Sequence, residues 1–557
     1  MRRALAASCI LTLTLFPGAG ELQALQDAPP AEPPGGQETG REAGDAAVLS
    51  LQDVLEAALQ NNLDIVVRSY EPERAAAQEM AARAAFDPTV TGVGGMRESQ
   101  DPRPSSFLRS LESDFYSLTF LDPLTYGARY QVLVDASESR TVTLFDPAGV
   151  DEVNASWQFS YVQPLLRNLG RAANRWRILV ARNGVEAGES RYRLQVLETL
   201  GAAEKAYWDL HFALMDLRTQ RASLQLAKDF LEQNRIKVRV GTLAPIEITQ
   251  AEAGVADREE GVILAENSVL VAEDALRQIM NVPAGSPLWS RPIHPAEMPP
   301  LADAVPDMEA AVAAAQASRP DLEQARLDVR NREVEMVYRR NQRRWGLDLE
   351  GIYGNSGFDP LSYGDAFDDV RERNQEDWTV RLTLGVPIGN RQAKAMHRET
   401  DALLSQARYD LQRLEQAARV EVRNAVRTVE TNLKRVRAAQ VNVRLQREKL
   451  AAEQKKFENG MSTSFQVLQF QTDLSSAESR ENRAIVDYNK SLVDLERSKG
   501  TLIEARGMAM PAPRGAGPDG GTRASLDGGD GLPADRLVLP TDFVFDGRRV
   551  LAWPPAR

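Results

Sequence analysis

A glycine-centred segment occurs twice in the chain, and this duplication limits the possible folds more than any other feature of the sequence. The stretch from Arg235 to Glu260 aligns with the stretch from Lys455 to Leu502. Setting Gly241 on Gly460 also places Gln250 on Gln469. In both copies one helix-forming stretch ends at the glycine and a second follows it, so each glycine marks the turn of a helical hairpin. The duplication predicts two structurally equivalent repeats.

The predicted hairpin helices carry apolar residues at alternating steps of three and four. This is the pattern of a helix that packs lengthwise on a neighbour. The seam before Gly241 is interrupted by Arg221 and Lys228, and it consists of Val196, Leu200, Ala203, Tyr207, Leu210, Leu214, Leu217, Leu224, Leu231 and Val238. The seam after Gly460 consists of Val467, Phe470, Leu474, Ala477, Ala484 and Tyr488.

Between the helical stretches the apolar period changes to two, which is typical of β-strands. The clearest strand is WTVRLTLGVPI, from Trp378 to Ile388, where apolar residues alternate with Thr379, Arg381 and Thr383. In a soluble sheet the apolar set faces a core, whereas in an outer-membrane barrel it faces lipid. Periodicity leaves both possibilities open. The six strand candidates lie near residues 89–95, 115–121, 126–137, 153–163, 347–354 and 378–388.

The order of these patterns predicts the domain organisation. Arg2 and Arg3, an apolar run from Ala4 to Phe16 and small residues at 18–20 have the features of an export signal peptide. Cys9 comes too early for a typical lipoprotein signal. The predicted units are a signal peptide at 1–20, a flexible N-terminal linker at 21–48, a first repeat at 49–281 with strands at about 88–163 and a hairpin at 171–281, a Pro-rich linker at 282–306, a second repeat at 307–504 with strands at about 346–388 and a hairpin at 391–504, and a Gly/Pro-rich tail at 505–557.

Composition and charge argue against several functional classes. The net charge is −12 and no Lys/Arg block is interleaved with aromatic residues, so nucleic acid is not an expected partner. One cysteine and three distant histidines provide neither a disulfide framework nor a metal-site spacing. The sequence has no phosphate-binding glycine loop and no nucleophile elbow. We therefore expect no cofactor, no metal and no enzymatic activity, and interpret His211 as a packed helix residue.

The ordered duplication of helix, strands and long helical hairpin resembles the TolC-like outer-membrane efflux protein family (outer membrane factors). The resemblance covers roughly Leu49 to Leu502. Its marks are LSLQDVLEAALQNN near the start of the first repeat, QPLL at Gln163 to Leu166, GVPIGNR at Gly385 to Arg391, and the two glycine turns. Each mark is weak alone, but few other architectures use the ordered duplication.

The resemblance implies a mainly α fold with membrane β: a homotrimer whose helices form an α-helical tunnel across the periplasm and whose strands share one outer-membrane β-barrel. Each protomer would contribute four strands, and the open edges of such a sheet in lipid require other chains to close it. The implied function is the passive exit duct of a tripartite efflux or type I secretion system. Its partners would be a periplasmic adaptor protein and an inner-membrane pump.

The resemblance also implies site residues at the hairpin tips. In the family, acidic residues ring the periplasmic aperture. The matching positions in this sequence are occupied by Gln466 and Gln469, and their first-repeat counterparts are Glu247 and Gln250. Our hypothesis is that Glu247 carries the charge selectivity that the tip retains, and the alternative is a surface charge that compensates the helix dipole. Candidate adaptor contacts are Gly241, Thr242, Gly460 and Ser462. The two glycines are alternatively simple helix caps. Arg381 is the candidate barrel-lumen residue.

One departure concerns the strands, because six candidates exceed the four of the family. The first repeat is also longer between its helices than the second, since the interval from Leu63 to Pro164 exceeds the equivalent interval from Pro320 to Pro387. The extra segment is expected to extend an external loop or a hairpin outside the bilayer.

Two rival interpretations remain. A non-conducting coiled-coil protein that links outer membrane and periplasm would share the heptads without needing lipid-facing strands. A periplasmic adaptor would have one helical hairpin flanked by compact β domains, and the tandem duplication counts against it.

Overall fold

The computed structural model describes residues 46–101, 103, 107–301 and 306–514. The predicted signal peptide, Cys9, most of the N-terminal linker and the tail beyond Arg514 lie outside the described residues. The helices are α1 Leu51–Asn61, α2 Leu63–Arg68, α3 Glu71–Arg83, α4 Arg171–Asn174, α5 Trp176–Arg239, α6 Ile246–Ile279, α7 Met308–Ser318, α8 Pro320–Gln342, α9 Tyr363–Glu372, α10 Arg391–Glu458, α11 Ser464–Lys499 and α12 Leu502–Ala505. The strands are β1 Ala47–Leu49, β2 Thr89–Gln100, β3 Leu108–Pro123, β4 Arg129–Thr143, β5 Val150–Pro164, β6 Ile293–Pro295, β7 Gly346–Asp359 and β8 Gln375–Gly385.

Two long helical hairpins, α5–α6 and α10–α11, form the body of the fold. The 64 residues of α5 and the 68 of α10 each extend about 100 Å at 1.5 Å per residue. The predicted seam of α5 is buried from Val196 to Leu217 except at Leu214, which is half-buried. Nearer the turn the seam residue Leu231 is still buried, but Ser223, Ala227 and Phe230 beside the seam are buried as well. A straight helix has 3.6 residues per turn, so its buried face drifts away from a strict seven-residue repeat.

The start of the first repeat is set by a capping box. The Ser50 hydroxyl oxygen accepts a hydrogen bond from the Asp53 amide at 3.1 Å, and the Asp53 carboxylate accepts one from the Ser50 amide at 3.0 Å. These bonds satisfy amides that have no partner within α1. The apolar face that follows, Val54, Leu55 and Ala58, is buried against α5. Ser50 is therefore the N-cap of α1.

The segment between the repeats is more ordered than a linker. Strand β6, inside the predicted Pro-rich linker, pairs in parallel with β1, which includes the last residues of the predicted N-terminal linker. The Glu273 carboxylate accepts a hydrogen bond from the Ile293 amide at 3.0 Å. The buried Arg277 guanidinium donates to the Leu288 and Arg291 carbonyls at 2.8 and 2.9 Å. Side chains of α6 therefore hold this segment against the helical body.

The other six strands form one antiparallel sheet in the order β2-β3-β4-β5-β7-β8. All six strand candidates are present, most of them longer than expected, although β8 ends at Gly385 rather than at Ile388. The described sheet therefore has six strands, two more than the four that the resemblance implies for each protomer of the barrel. The additional residues of the first repeat are enough for two further strands and a turn, and they extend the same sheet rather than an external loop.

The sheet has one apolar and one polar face. In β8 the side chains of Trp378, Val380, Leu382 and Leu384 point to the apolar face and are between 59% and 74% exposed. Helix α9 covers only one end of this face, where Ala366 and Val370 pack on Val153 and Ala155 of β5. Most of the apolar face of β8 thus has no partner in the part of the chain that the structure describes. Within the described ranges, no helix has an apolar stretch long enough to cross a membrane.

Candidate functional site

The turns of the two hairpins have the same backbone geometry. Gly241 and Gly460 have φ values of 78° and 71°, in the left-handed region that favours glycine. The Thr242 amide donates to the Lys237 carbonyl at 2.9 Å, and the Met461 amide donates to the Lys456 carbonyl at 2.8 Å. Both bonds span five residues and satisfy carbonyls at the helix end. The predicted equivalence of the two turns therefore holds down to individual hydrogen bonds, and both glycines do act as helix caps.

Buried contacts join the two hairpins near these turns. The Asn234 side chain of α5 is fully buried and donates from Nδ2 to the Ser464 hydroxyl at 3.0 Å. The rings of Phe230 and Phe457 lie 5.2 Å apart, and the Lys237 ammonium lies 4.0 Å from the centre of the Phe457 ring. A cation over an aromatic face is attracted to it. The two turns are therefore held together by polar and aromatic contacts rather than by an apolar seam alone.

A buried arginine adds a second link between the hairpins. Arg258 of α6 is 8% exposed and donates from Nη2 to the Leu468 carbonyl and the Thr472 hydroxyl of α11, at 3.3 and 3.1 Å. Its Nε donates to the Ser223 hydroxyl at 3.2 Å and its Nη1 to the Gly254 carbonyl at 2.7 Å. Burial lowers the pKa of this guanidinium, although nearby Asp257 opposes the shift. A buried cation that loses its neutral acceptors is costly, so this cluster fixes the spacing of the helices.

The four predicted aperture residues lie on the first two turns of α6 and α11. Gln250, Gln466 and Gln469 are exposed, whereas Glu247 is half-buried and its Oε2 has no hydrogen-bond partner among the described residues. The Gln469 amide donates to Asp473 Oδ1 at 3.0 Å. The Asp473 carboxylate therefore lies one helical turn after Gln469. Comparison of the two turns in the sequence did not indicate this carboxylate.

Ser462, a predicted adaptor contact, also has a role within its own turn. Its hydroxyl lies 2.6 Å from Glu453 Oε1 and 3.0 Å from Gln466 Oε1. The hydrogen bond from Ser462 and the hydrogen bond and charge of Lys456 hold the pKa of the Glu453 carboxyl below its ordinary value. Glu453 occupies the position equivalent to Asn234, so the two hairpins use different polar residues at the same point of the repeat.

The tips also expose equivalent apolar residues. Ile246 and Phe465 occupy the same position relative to Gly241 and Gly460, and they are 58% and 64% exposed. Val240 and Met461 beside them are 67% and 69% exposed. Neither glycine has an atom of the described residues within 4 Å of the place a Cβ would take, so the surface above both turns is open. This apolar rim was missed because single exposed residues cannot be told from buried ones by sequence.

Arg381 lies on the polar face of the sheet, as predicted from alternation. Its cross-strand neighbour is Glu350 of β7, whose Oε2 accepts from Arg381 Nε at 2.8 Å and from Nη2 at 2.5 Å. The pair is neutral as a unit, and Glu350 was not identified from the sequence. Arg381 alone therefore adds little net charge to this face.

The described residues contain no group of three or more His, Cys, Asp or Glu side chains able to hold a metal ion. His211 packs beside Trp208, with ring centres 6.4 Å apart, and its Nδ1 is buried without a hydrogen-bond partner among the described residues. Burial, assisted by the charge of Arg218, lowers the pKa of His211. These contacts are those of a packed, neutral helix residue.

A model of the outer membrane efflux protein family matches residues 54–282 and 311–501 of the chain. The fold is similar to that of the Campylobacter jejuni CmeC outer membrane channel, with a TM-score of 0.59 and 16% identity, covering 81% of this chain and 86% of that one. The Vibrio cholerae outer membrane protein VceC gives 0.58 and 15%, covering 83% and 97%. The open state of the Neisseria gonorrhoeae MtrE outer membrane channel gives 0.55 and 17%, covering 81% and 89%. No curated protein sequence gives a significant match.

Proposed function

Because the chain belongs to the outer membrane efflux protein family, we propose that it is the exit duct of a tripartite efflux or type I secretion system. It acts as a homotrimer in the outer membrane and extends into the periplasm. An inner-membrane pump and a periplasmic adaptor protein load the substrate and supply the energy, and this protein supplies a passive path. The proposal includes a shared β-barrel and a tunnel of α-helices.

The observation that carries this proposal is the contrast between the two ends of the molecule. At one end, a sheet leaves the apolar side chains of β8, from Trp378 to Leu384, exposed without a partner among the described residues. Lipid is the environment in which such a face is stable. At the far ends of α5 and α10, the two hairpin tips expose both polar and apolar side chains and carry the candidate aperture and adaptor residues. A duct needs both a membrane-embedded end and an end that receives its substrate.

The tips are the proposed gate and the proposed docking site. In a trimer, three copies of Glu247, Gln250, Gln466 and Gln469 line the periplasmic aperture. The Oε2 of Glu247 is buried without a hydrogen-bond partner among the described residues, so the shift that opens the tip must also expose this oxygen before it can attract a passing cation. Opening is a shift of one hairpin against the other, between two packings of the same helices. The adaptor contacts Gly241, Thr242, Gly460 and Ser462 at the open surface above the turns.

The test is planar-bilayer conductance of the purified, membrane-inserted mature protein. Discrete, long-lived conductance steps from an SDS-resistant trimer are expected, with small steps while the tip is closed. Folded, inserted trimers that give no steps, even after the tip contacts are loosened by substitution, would refute the duct. The non-conducting coiled-coil protein that links outer membrane and periplasm would then be the better interpretation.

A further inference from the structure

We propose that the strands of this protein close into an eighteen-stranded barrel, in which β2 of each copy pairs with β8 of the next. This inference rests on the proposed trimeric duct and goes beyond it in strand number and in the identity of the seam. A twelve-stranded barrel would instead need the additional hairpin to lie outside the sheet.

The additional strands are full members of the sheet. Strands β2 and β3 pair without interruption from Thr89–Leu121 to Gln100–Ser110. The pairing of β3 with β4 is continuous from Ser110–Val142 to Pro123–Arg129. The turn after β3 is fixed as well: Gly127, with a φ of 102°, lies so close to the Asn168 carbonyl that a Cβ would come within 2.1 Å of its oxygen. Strand β3 is therefore held by pairing on both of its sides and by the turn that leads to β4.

The register of the sheet has the stagger of a transmembrane barrel. The row of paired residues that starts at Thr89, the first residue of β2, passes through Leu121, Gln131, Ser160 and Ile352 to Thr379 of β8. Thr379 lies six residues before Gly385, where β8 ends. Six residues rise about 20 Å while five strand spacings cover about 24 Å. If the strand ends are level, the strands tilt by about 40°, within the range of such barrels.

The two edges of the described sheet are unpaired and complementary. All residues of β8, and all of β2 except Gly95, are exposed. Where Thr89 of one copy pairs directly with Gly385 of the next, an antiparallel count places Arg97 opposite Asp377, and both lie on the polar face of the sheet. Neither side chain has an oppositely charged partner among the described residues. Open strand edges are unstable in lipid because no water can satisfy their amides and carbonyls, so each edge must find the other.

A barrel of eighteen strands is wider than one of twelve. At a spacing of about 4.8 Å and this tilt, eighteen strands enclose a backbone diameter of about 36 Å, against about 24 Å for twelve. The cross-section is then larger by about twofold, whereas the number of tunnel helices is unchanged. The tip therefore remains the constriction, and the outer mouth accepts a wider substrate than the tunnel delivers.

Cysteine cross-linking of the full-length trimer in lipid tests the seam. Thr383→Cys in β8 is combined with Thr89→Cys, Thr91→Cys or Val93→Cys in β2, which cover the neighbouring registers on one face. Within one copy, β2 and β8 lie five strand spacings apart, about 24 Å, so a short thiol cross-linker joins only different copies. The chain has one native cysteine, Cys9, and the parent protein and the single variants are the controls.

Covalent dimers and trimers on a denaturing gel, in one register and absent from the controls, are the expected result. Cross-linking of Thr383→Cys with Gln131→Cys would overturn the inference, because β4 would then be the edge of a twelve-stranded barrel while the trimeric duct would stand. Intact trimers without a cross-link from β2 would overturn it as well. A protein that remains monomeric in lipid would refute the proposed function itself. As a second readout, Arg97→Asp should weaken the SDS resistance of the trimer, and added Asp377→Arg should restore it.

Discussion

Replacement of Arg258 by methionine should loosen the two hairpins at the tip and open the duct. Methionine keeps much of the length of the side chain but removes every donor. The two hydrogen bonds from Arg258 Nη2 to Leu468 and Thr472 are the ones that cross from the first hairpin to the second. The bonds to Ser223 and Gly254 stay within the first hairpin and do not oppose opening.

The expected magnitude follows from the two crossing bonds. A hydrogen bond to a charged group contributes about 1.5–3 kcal/mol, so the lower value for both gives about 3 kcal/mol. An equilibrium shifts tenfold for about every 1.4 kcal/mol, and the open fraction of Arg258→Met should therefore rise about 100-fold. A shift of this size requires that both bonds break when the duct opens.

Single-channel recording of purified trimers measures the open fraction directly. Uptake of a large polar antibiotic by cells that rely on this duct provides a second measurement. Arg480→Met is the matched control, since Arg480 is exposed on α11 and its Nε donates to the Ser476 carbonyl of its own helix at 3.0 Å. Trimers of Arg258→Met that assemble normally and keep the open fraction of the Arg480→Met control would refute the reasoning.

Three further predictions concern the tip. Glu247→Gln should lower the cation-to-anion permeability ratio, and an unchanged ratio would show that Glu247 does not face the lumen. Gly460→Ala should lower the free energy of unfolding by about 1 kcal/mol because Gly460 has a positive φ. Gly184→Ala, at an open position inside α5, should raise it by a similar amount. The melting temperatures of the two variants should therefore shift in opposite directions. In the folded protein the pKa of Glu453 lies below its ordinary value. Its bonds to Ser462 and Lys456 therefore stabilise the turn fully when the pH is above the ordinary carboxyl pKa. This stabilisation is lost as the pH falls through the folded pKa. Amide exchange in the turn, corrected for intrinsic rates, should rise on acidification, and Glu453→Gln should remove this dependence.

The sequence predicted features that depend on neighbouring residues. Gly241 and Gly460 each end a helix through their own positive φ, and the duplication marked both turns. The strand from Trp378 was recognisable because an alternation of apolar and polar residues determines which side chains share a face. The number of strands also followed from alternation, although the resemblance argued for fewer.

Features that depend on distant partners were not predictable in this way. Arg258 and Leu468 are 210 residues apart in the chain, and periodicity shows that a position is buried without showing what it contacts. The pairing of Arg381 with Glu350 required the register of β7 on β8. Asn234 and Glu453 occupy equivalent positions before the two turns, but nothing in the predicted seams indicated that either side chain is buried in a polar contact.

The two additional strands also bear on how proteins with this topology can change in width. Each strand reverses the direction of the chain, so α5 leaves the sheet on the side where α3 entered it only if an even number of strands lies between them. A single inserted strand would direct the first helical hairpin to the opposite end of the sheet from the second. Strands can therefore be added to such a chain only in pairs. In a threefold assembly the circumference of the barrel then grows by six strands at a time.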